Sequence, residues 1–159
     1  KDRSELLMIV DLERNDLSRV CRPDSVVVEE LFKLETFPEV FHLVATVSGH
    51  LQDGEDAVSC LKACFPGGSI TGAPKMRAME LIDQLEDDAR GFYTGCLGYF
   101  SADGQADFSI IIRTMVRQGD QILYGAGGGI TWESIAADEY QELLDKAKFF
   151  RRLIEHDSD

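Results

Sequence analysis

Residues Phe65 to Lys75 combine three glycines, two hydroxyl side chains and two prolines just before a helical pattern that runs from Met76 to Leu85. Glycine lets a backbone approach a ligand closely, and the start of a helix presents unpaired N–H groups at its positive end. The segment therefore suits the binding of a small anion. A glycine-rich turn that only caps a buried helix explains the same residues equally well.

A phosphate-binding P-loop does not fit this segment. The gap between Gly67 and Gly72 matches the P-loop spacing, but Ala73 stands where the essential lysine must follow. We therefore do not expect an ATPase.

A second glycine run, Gly125 to Gly129, follows a predicted strand and precedes a predicted helix. It imitates the dinucleotide-binding fingerprint, but Ile130 replaces the last glycine, so NAD binding is not expected. Successive glycine N–H groups can form a concave site for a carboxylate. The alternative is a tight connection between strand and helix.

The last predicted helix places Glu139, Glu142 and Lys146 on one face, because they are separated by three and then four residues. Two carboxylates at this spacing could hold Mg²⁺, which takes one or two protein carboxylates and keeps water or substrate oxygens in its other positions. The alternative is an exposed ion pair between Glu142 and Lys146.

Three further polar residues stand out, and each has a structural alternative. Arg113 lies within the apolar run Phe108 to Met115, where a buried guanidinium needs an anion, either a ligand carboxylate or an acidic side chain of the protein. His42 lies in an apolar strand pattern and is either an acid–base group or a hydrogen-bonded core residue. Glu5 suits the first turn of a helix without any further role.

The composition is that of a single globular domain without a membrane or nucleic-acid footprint. Its 159 residues are 44% hydrophobic and 28% charged, and the net charge is −13. So acidic a chain is not expected to bind nucleic acid or an anionic membrane, and it has neither a membrane-spanning run nor a signal-peptide pattern. The four cysteines lack zinc-binding spacing and are expected to be reduced thiols of a cytoplasmic protein.

Hydrophobic periodicity predicts an α+β fold with largely antiparallel sheets flanked by helices, because the strands follow one another in hairpins. A helix capped by Ser4 is expected to run to about Arg19. The other helices are predicted over residues 56–64, 74–85 and 134–154, and the strands over residues 26–28, 31–37, 40–51, 94–100, 106–115 and 121–125.

Taken together, these segments resemble the chorismate-utilising enzymes. The matching pieces keep their order along nearly the whole chain: Asp2 to Leu12 with Arg14-Asn15-Asp16, His42 to Val44, Phe65 to Lys75, Gly95 to Phe100, Ile112 to Thr114, Gly125 to Ile130, and Glu139 to Lys146. The Gly67 to Lys75 loop is most similar to the aminodeoxychorismate synthase branch of folate and 4-aminobenzoate biosynthesis. The anthranilate synthase component I branch is the close rival, and it often carries threonine where this chain has Ser69.

The resemblance implies a metal site. Glu5 and Glu142 would bind Mg²⁺, with Glu139 and Asp2 in support, and the metal would hold the ring carboxylate of chorismate. Asp2 departs from the glutamate that is usual in the anthranilate branch.

The resemblance also implies a substrate site. His42 and the Ser69 hydroxyl would lie beside the chorismate ring, on the side from which the hydroxyl leaves. The residues expected to bind the substrate carboxylates are Tyr93, Arg113, Gly127, Gly128, Gly129 and Lys146.

The resemblance further implies that these 159 residues are the C-terminal part of a chorismate-binding catalytic domain. Family members carry an upstream Pro-Ile-Lys-Gly-Thr segment with the proposed lysine nucleophile, which does not occur here. The chain starts at Lys1, so we expect a fragment that is inactive alone and self-associates through exposed sheet edges. The whole enzyme would use ammonia from a glutamine amidotransferase subunit to form 4-amino-4-deoxychorismate. The alternatives are anthranilate formation and a folded module without catalysis.

Overall fold

The computed structural model describes residues 2–37 and 41–156, without the side chains of residues 2, 149 and 151–156. The elements follow in the order α1 (Asp2–Ser18), β1 (Val27–Thr36), β2 (Phe41–Ser48), α2 (Ala57–Cys64), α3 (Gly68–Thr71), α4 (Lys75–Leu85), β3 (Cys96–Phe100), β4 (Ala106–Ile110), β5 (Met115–Gln118), β6 (Gln121–Tyr124) and α5 (Ala136–His156). The strands pair as three two-stranded sheets, β1 with β2, β3 with β4 and β5 with β6. The predicted α+β class with largely antiparallel sheets flanked by helices is confirmed, and the sheets are small.

The chain divides into two compact units. The first contains residues 1–87 and 98–108, and the second contains residues 88–97 and 109–159. In the first unit, α1 packs against the β1–β2 hairpin and against α2 and α3. Among the described residues of this unit, the buried apolar side chains are Val10, Val20, Cys21 and Ala63.

The predicted strands at 26–28 and 31–37 are one continuous strand, β1. It pairs with β2 from Val27 opposite Ser48 to Thr36 opposite Phe41, with shifts in register on either side of Glu30. Phe32, at φ 60°, lies in the left-handed region, so the strand is bulged where the sequence pattern is interrupted.

Two helix starts differ from expectation. Ser4 does not cap the first helix, since α1 is already helical at Asp2 and Ser4 lies inside it. The glycine loop was expected to be irregular but contains the one-turn helix α3. The expected start of α2 is correct: Asp56 accepts hydrogen bonds from the Val58 and Ser59 N–H groups, and the Ser59 hydroxyl accepts from the Asp56 N–H.

The predicted strand over residues 106–115 ends early, at Ile110, and a new strand begins at Met115. The reason is a tight turn in which the Ile112 N–H donates to the Ile110 carbonyl over 2.9 Å. Arg113 follows at φ 53°, in the left-handed region, which departs from the extended backbone of a regular β-strand. The expectation that Arg113 lies within an apolar strand is therefore wrong.

In the second unit, the last residue of β6 attaches the hairpin to α5. The Tyr124 hydroxyl donates to the Lys146 carbonyl over 3.0 Å, and its ring lies 4.4 Å from the ring of Phe150, centroid to centroid. These contacts fix α5 beside the point at which β6 runs into the second glycine run.

Large apolar side chains are exposed on both units. Phe41 is 71% exposed in the first unit, while Leu97 is 72% and Trp132 102% exposed in the second. Among the described residues, no helix has the length and apolarity that a membrane crossing requires.

These exposed side chains predict that the isolated chain self-associates. Light scattering should give a mass well above 17.7 kDa that rises with protein concentration. Leu97→Lys, on β3, should shift the chain towards the monomer, whereas Ala102→Lys in the following turn should not. A monomer at every concentration would contradict the expectation.

Candidate functional site

The second glycine run lies directly under the ring of Tyr93. A Cβ atom placed on Gly125 would overlap the Tyr93 side chain, with Cβ and Cδ2 both 2.6 Å away, and one on Gly127 would lie 2.8 Å from the Tyr93 hydroxyl. Close packing against Tyr93 therefore accounts for glycine at these two positions. The sequence left two interpretations of this run, a concave carboxylate site and a tight connection between strand and helix. The tight connection is present.

Three charged side chains converge on Gly128. A Cβ atom at this position would lie 3.3 Å from Glu139 Oε2, 3.7 Å from Lys146 Nζ and 3.9 Å from Glu142 Oε1. The structure thus brings six of the expected site residues together in one unit, namely Tyr93, Gly127, Gly128, Glu139, Glu142 and Lys146.

Lys146 contacts both the helix and the glycine run. Its Nζ lies 2.7 Å from Glu142 Oε1 and donates to the Gly127 carbonyl over 2.8 Å. The peptide bond between Gly127 and Gly128 is trans, so its N–H points away from its carbonyl and hence away from Lys146. An anion bound by the Gly128 N–H therefore lies on the opposite side of this peptide from the ammonium group.

Sequence reasoning missed Ser134, which orients Glu139. The Ser134 hydroxyl donates to Glu139 Oε1 over 2.6 Å and accepts from the Thr131 N–H over 3.0 Å. The signal was a hydroxyl residue in the turn just before α5. The Thr131 hydroxyl is buried and has no hydrogen-bond partner among the described residues.

The donor set of this group suits a hard divalent cation. Glu139 and Glu142 both direct a carboxylate oxygen to within 4 Å of one point, and Mg²⁺ is typically held by one or two carboxylates together with waters or substrate oxygens. Among the described residues, no three acidic, histidine or cysteine side chains form a complete metal cage. The two glutamates would therefore need ligands from elsewhere, such as a substrate carboxylate.

Arg113 is exposed and forms no ion pair within the described part of the chain. The alternative of a structural salt bridge is thus not observed there. Its left-handed backbone costs about 1 kcal/mol or more, and such strain is often found at functional positions.

The remaining expected site residues belong to the first unit. Glu5 is half-buried on α1 and Ser69 is exposed on α3. His42 is exposed on β2, with its ring 5.2 Å from that of Phe37, so it is not a core residue. The side chain of Asp2 lies outside the described part of the structure.

An unexpected buried ion pair lies behind the first glycine loop. Lys75 Nζ is 2.5 Å from Asp16 Oδ2, and only 17% of the lysine side chain and 3% of the aspartate side chain are exposed. Burial and the negative charge of Asp16 raise the pKa of the nearby Glu13, although the Lys75 charge and a hydrogen bond from the Gly68 N–H oppose this. Burial also raises the pKa of Cys64 to about 12, so this thiol is a poor nucleophile.

The raised pKa of Glu13 predicts a pH-dependent stability. The folded state binds this proton more tightly than the unfolded state, so the contribution of Glu13 is most favourable below its ordinary value of 4.5 and declines as the pH rises through the raised pKa. Glu13→Gln should therefore gain stability relative to the wild type as the pH rises from 4.5 through the raised pKa. Urea unfolding across this range is the measurement, with the exposed Glu29→Gln as control, and a constant difference would contradict it.

The close packing of Tyr93 predicts a second stability effect. Gly125→Ala must displace the Tyr93 ring and should destabilise the chain by about 1–3 kcal/mol. Gly128→Ala meets only the ends of charged side chains and should cost less. Thermal unfolding of the two variants compares them directly, and equal costs would show that the ring moves freely.

The sequence pattern described as "chorismate binding enzyme" matches residues 1–152. The chain belongs to this family. Aminodeoxychorismate synthase component 1 of Salmonella typhimurium is 54% identical over 92% of this chain and 32% of its own length. Anthranilate synthase component 1 of Aquifex aeolicus is 45% identical over 98% of the chain and 31% of its own length.

The fold agrees with that of a solved family member. Anthranilate synthase component I from Streptococcus pneumoniae superposes with a TM-score of 0.80 at 44% identity, covering 91% of this chain and 33% of the other. The chain thus spans about a third of the length of these relatives and has the fold of the corresponding part.

Proposed function

We propose that the protein carrying this chain is an aminodeoxychorismate synthase, in which ammonia replaces the C4 hydroxyl of chorismate and the hydroxyl leaves as water. The convergence of Glu139, Glu142 and Lys146 on a glycine run beneath Tyr93 is the observation that carries this proposal. Relatives of that name from Salmonella typhimurium, Escherichia coli and Bacillus subtilis are 47–54% identical to the chain and support the choice of branch.

In this proposal, the acidic side chains hold Mg²⁺. Glu142 and Glu5 are the ligands, with Glu139 and Asp2 in support, and Ser134 keeps Glu139 in one rotamer. The bound cation supplies positive charge for the ring carboxylate of chorismate and for the charge that develops as the hydroxyl leaves.

The second carboxylate of chorismate, on the enolpyruvyl group, is bound by the Tyr93 hydroxyl, the Arg113 guanidinium and the N–H groups of Gly128 and Gly129. Successive glycine N–H groups and a guanidinium are both suited to carboxylates. Lys146 holds the Gly127 carbonyl, and this directs the Gly128 N–H towards the ligand side.

Ser69 and His42 are assigned to the leaving hydroxyl. Both side chains are exposed in the first unit and can donate a hydrogen bond to an oxygen that accumulates negative charge. Ammonia is delivered by a glutamine amidotransferase subunit. We place the protein in the cytoplasm, where its four free thiols stay reduced.

Anthranilate synthase is the second candidate, because relatives of that name are 45–48% identical to the chain. Product analysis of the full-length protein with chorismate, Mg²⁺ and ammonium separates the two. We expect 4-amino-4-deoxychorismate, and anthranilate as the sole product would overturn the proposal. The 159-residue chain alone should show no turnover in the same assay, and measurable turnover by it would contradict the assignment of the missing nucleophile to an upstream segment.

A further inference from the structure

The glycine loop that carries Ser69 is attached to α1 at both of its ends. At its far end, Lys75 forms the buried ion pair with Asp16, across 59 residues of sequence. Near its start, the buried Gly68 packs against Leu12, with only 2.7 Å between its ideal Cβ position and Leu12 Cδ1.

Both attachments use a single short stretch of α1, residues 12–16. Between them, the loop is closed by hydrogen bonds to the Gly67 carbonyl, from the Ile70 N–H over 3.3 Å and from the Thr71 hydroxyl over 2.9 Å. Ser69 lies within this closed segment, yet its side chain is exposed. The loop is thus fixed while its hydroxyl stays available.

An ion pair between Asp16 and Lys75 is energetically less favourable than apolar packing if it only fills the space between the loop and α1. Removing two charges from water is unfavourable, and well-packed apolar residues of similar volume often stabilise a fold equally well or better. A charged pair differs from an apolar contact in fixing direction and distance, because Lys75 Nζ must meet one carboxylate oxygen of Asp16 at 2.5 Å. Since α1 also carries Glu5, the loop and this carboxylate share one support.

We propose that Asp16 and Lys75 are positioning residues that hold the Ser69 hydroxyl in place for the leaving group, a role that rests on the proposed function of Ser69. Neither side chain contacts substrate, and both act only through the loop.

The test uses the double variant Asp16→Leu/Lys75→Met, which removes both charges and leaves neither side chain buried with an unpaired charge. Arg77→Met is the matched control, because Arg77 lies on the same helix in an exposed pair with Glu80. Hydrogen exchange followed by mass spectrometry on the peptide of residues 65–75 should be at least tenfold faster in the double variant and unchanged in the control. Exchange in α5 should stay unchanged in both.

Kinetics on the full-length protein test the consequence for catalysis. The double variant should lower kcat at least tenfold with KM for chorismate within about twofold, since the residues assigned to the substrate carboxylates remain. When combined with Ser69→Ala, it should add little to the loss that Ser69→Ala causes alone, because both changes remove the same positioned hydroxyl. The single variant Lys75→Arg keeps a positive charge opposite Asp16, so its kcat should be higher than that of the double variant.

Two results would overturn the positioning role: unchanged exchange in the loop, or faster exchange with a wild-type kcat. Full additivity with Ser69→Ala would also overturn it. Because hydrogen exchange needs no substrate, it tests the positioning role separately from the proposed reaction. If loop exchange is faster in the double variant but the wild-type protein forms no 4-amino-4-deoxychorismate, the proposed function is wrong. The ion pair would then only hold the loop in place.

Discussion

Glu142→Gln is expected to lower kcat/KM for chorismate by about 1000-fold, which corresponds to roughly 4 kcal/mol of transition-state stabilisation. The substitution keeps the shape of the side chain but removes the charge that is proposed to bind Mg²⁺. It also removes the ion pair with Lys146 at 2.7 Å, so the ammonium loses one of its two fixed contacts. The expected loss therefore combines weaker metal binding with a less well-oriented glycine run.

Calorimetric titration of Mg²⁺ in the presence of chorismate separates these two effects. Asp145→Asn is the matched control, since Asp145 lies on the same helix, is about half exposed and pairs with Lys148 away from the glycine run. We expect wild-type Mg²⁺ affinity in the control and greatly weakened affinity in Glu142→Gln. Unchanged affinity in Glu142→Gln would rule out direct ligation by this residue, whatever its effect on kcat.

Lys75→Met alone is expected to destabilise the chain by about 3–5 kcal/mol, because it leaves Asp16 buried without its partner. Many small domains have a total stability of about 5–15 kcal/mol, so this single change should come close to unfolding the protein. Replacing both partners by apolar residues removes the unpaired charge, and the double variant Asp16→Leu/Lys75→Met should regain most of the loss.

Urea unfolding of the single and double variants measures this coupling. Arg77→Met serves as the control, and its loss should stay below about 1 kcal/mol, since the pair with Glu80 is exposed on both sides. If Lys75→Met lowers the free energy of unfolding by less than about 1 kcal/mol, water must reach the Asp16 carboxylate readily. This result would contradict the burial of that carboxylate.

Local signals in the sequence were sufficient for most elements. The period of apolar residues predicted α5 to within two residues at each end, and Asp56 with Ser59 marked the start of α2. The spacing of Glu139, Glu142 and Lys146 correctly placed them on one face. These features depend on residues close together in sequence, so a single sequence contains the information.

The features that sequence reasoning missed depend on distant contacts or on backbone strain. Nothing local connects Asp16 with Lys75, and the close fit of Gly68 against Leu12 is visible only in three dimensions. The sequence did not predict that the strand ends before Arg113, because the isoleucines just before this residue are good strand formers. The roles proposed for Glu5, His42 and Ser69 rest on family resemblance, since each residue alone also has a structural explanation.

The fluorescence of the fully exposed Trp132 should report on the candidate site. It is the single tryptophan of the chain, and it lies between Thr131 and Ser134, in the turn that orients Glu139. Its indole should emit like free tryptophan in water and be quenched efficiently by acrylamide. Any ligand or subunit that covers this turn should shift the emission to the blue and protect it from the quencher. The protein thus carries a built-in optical probe beside Glu139, without any label or substitution.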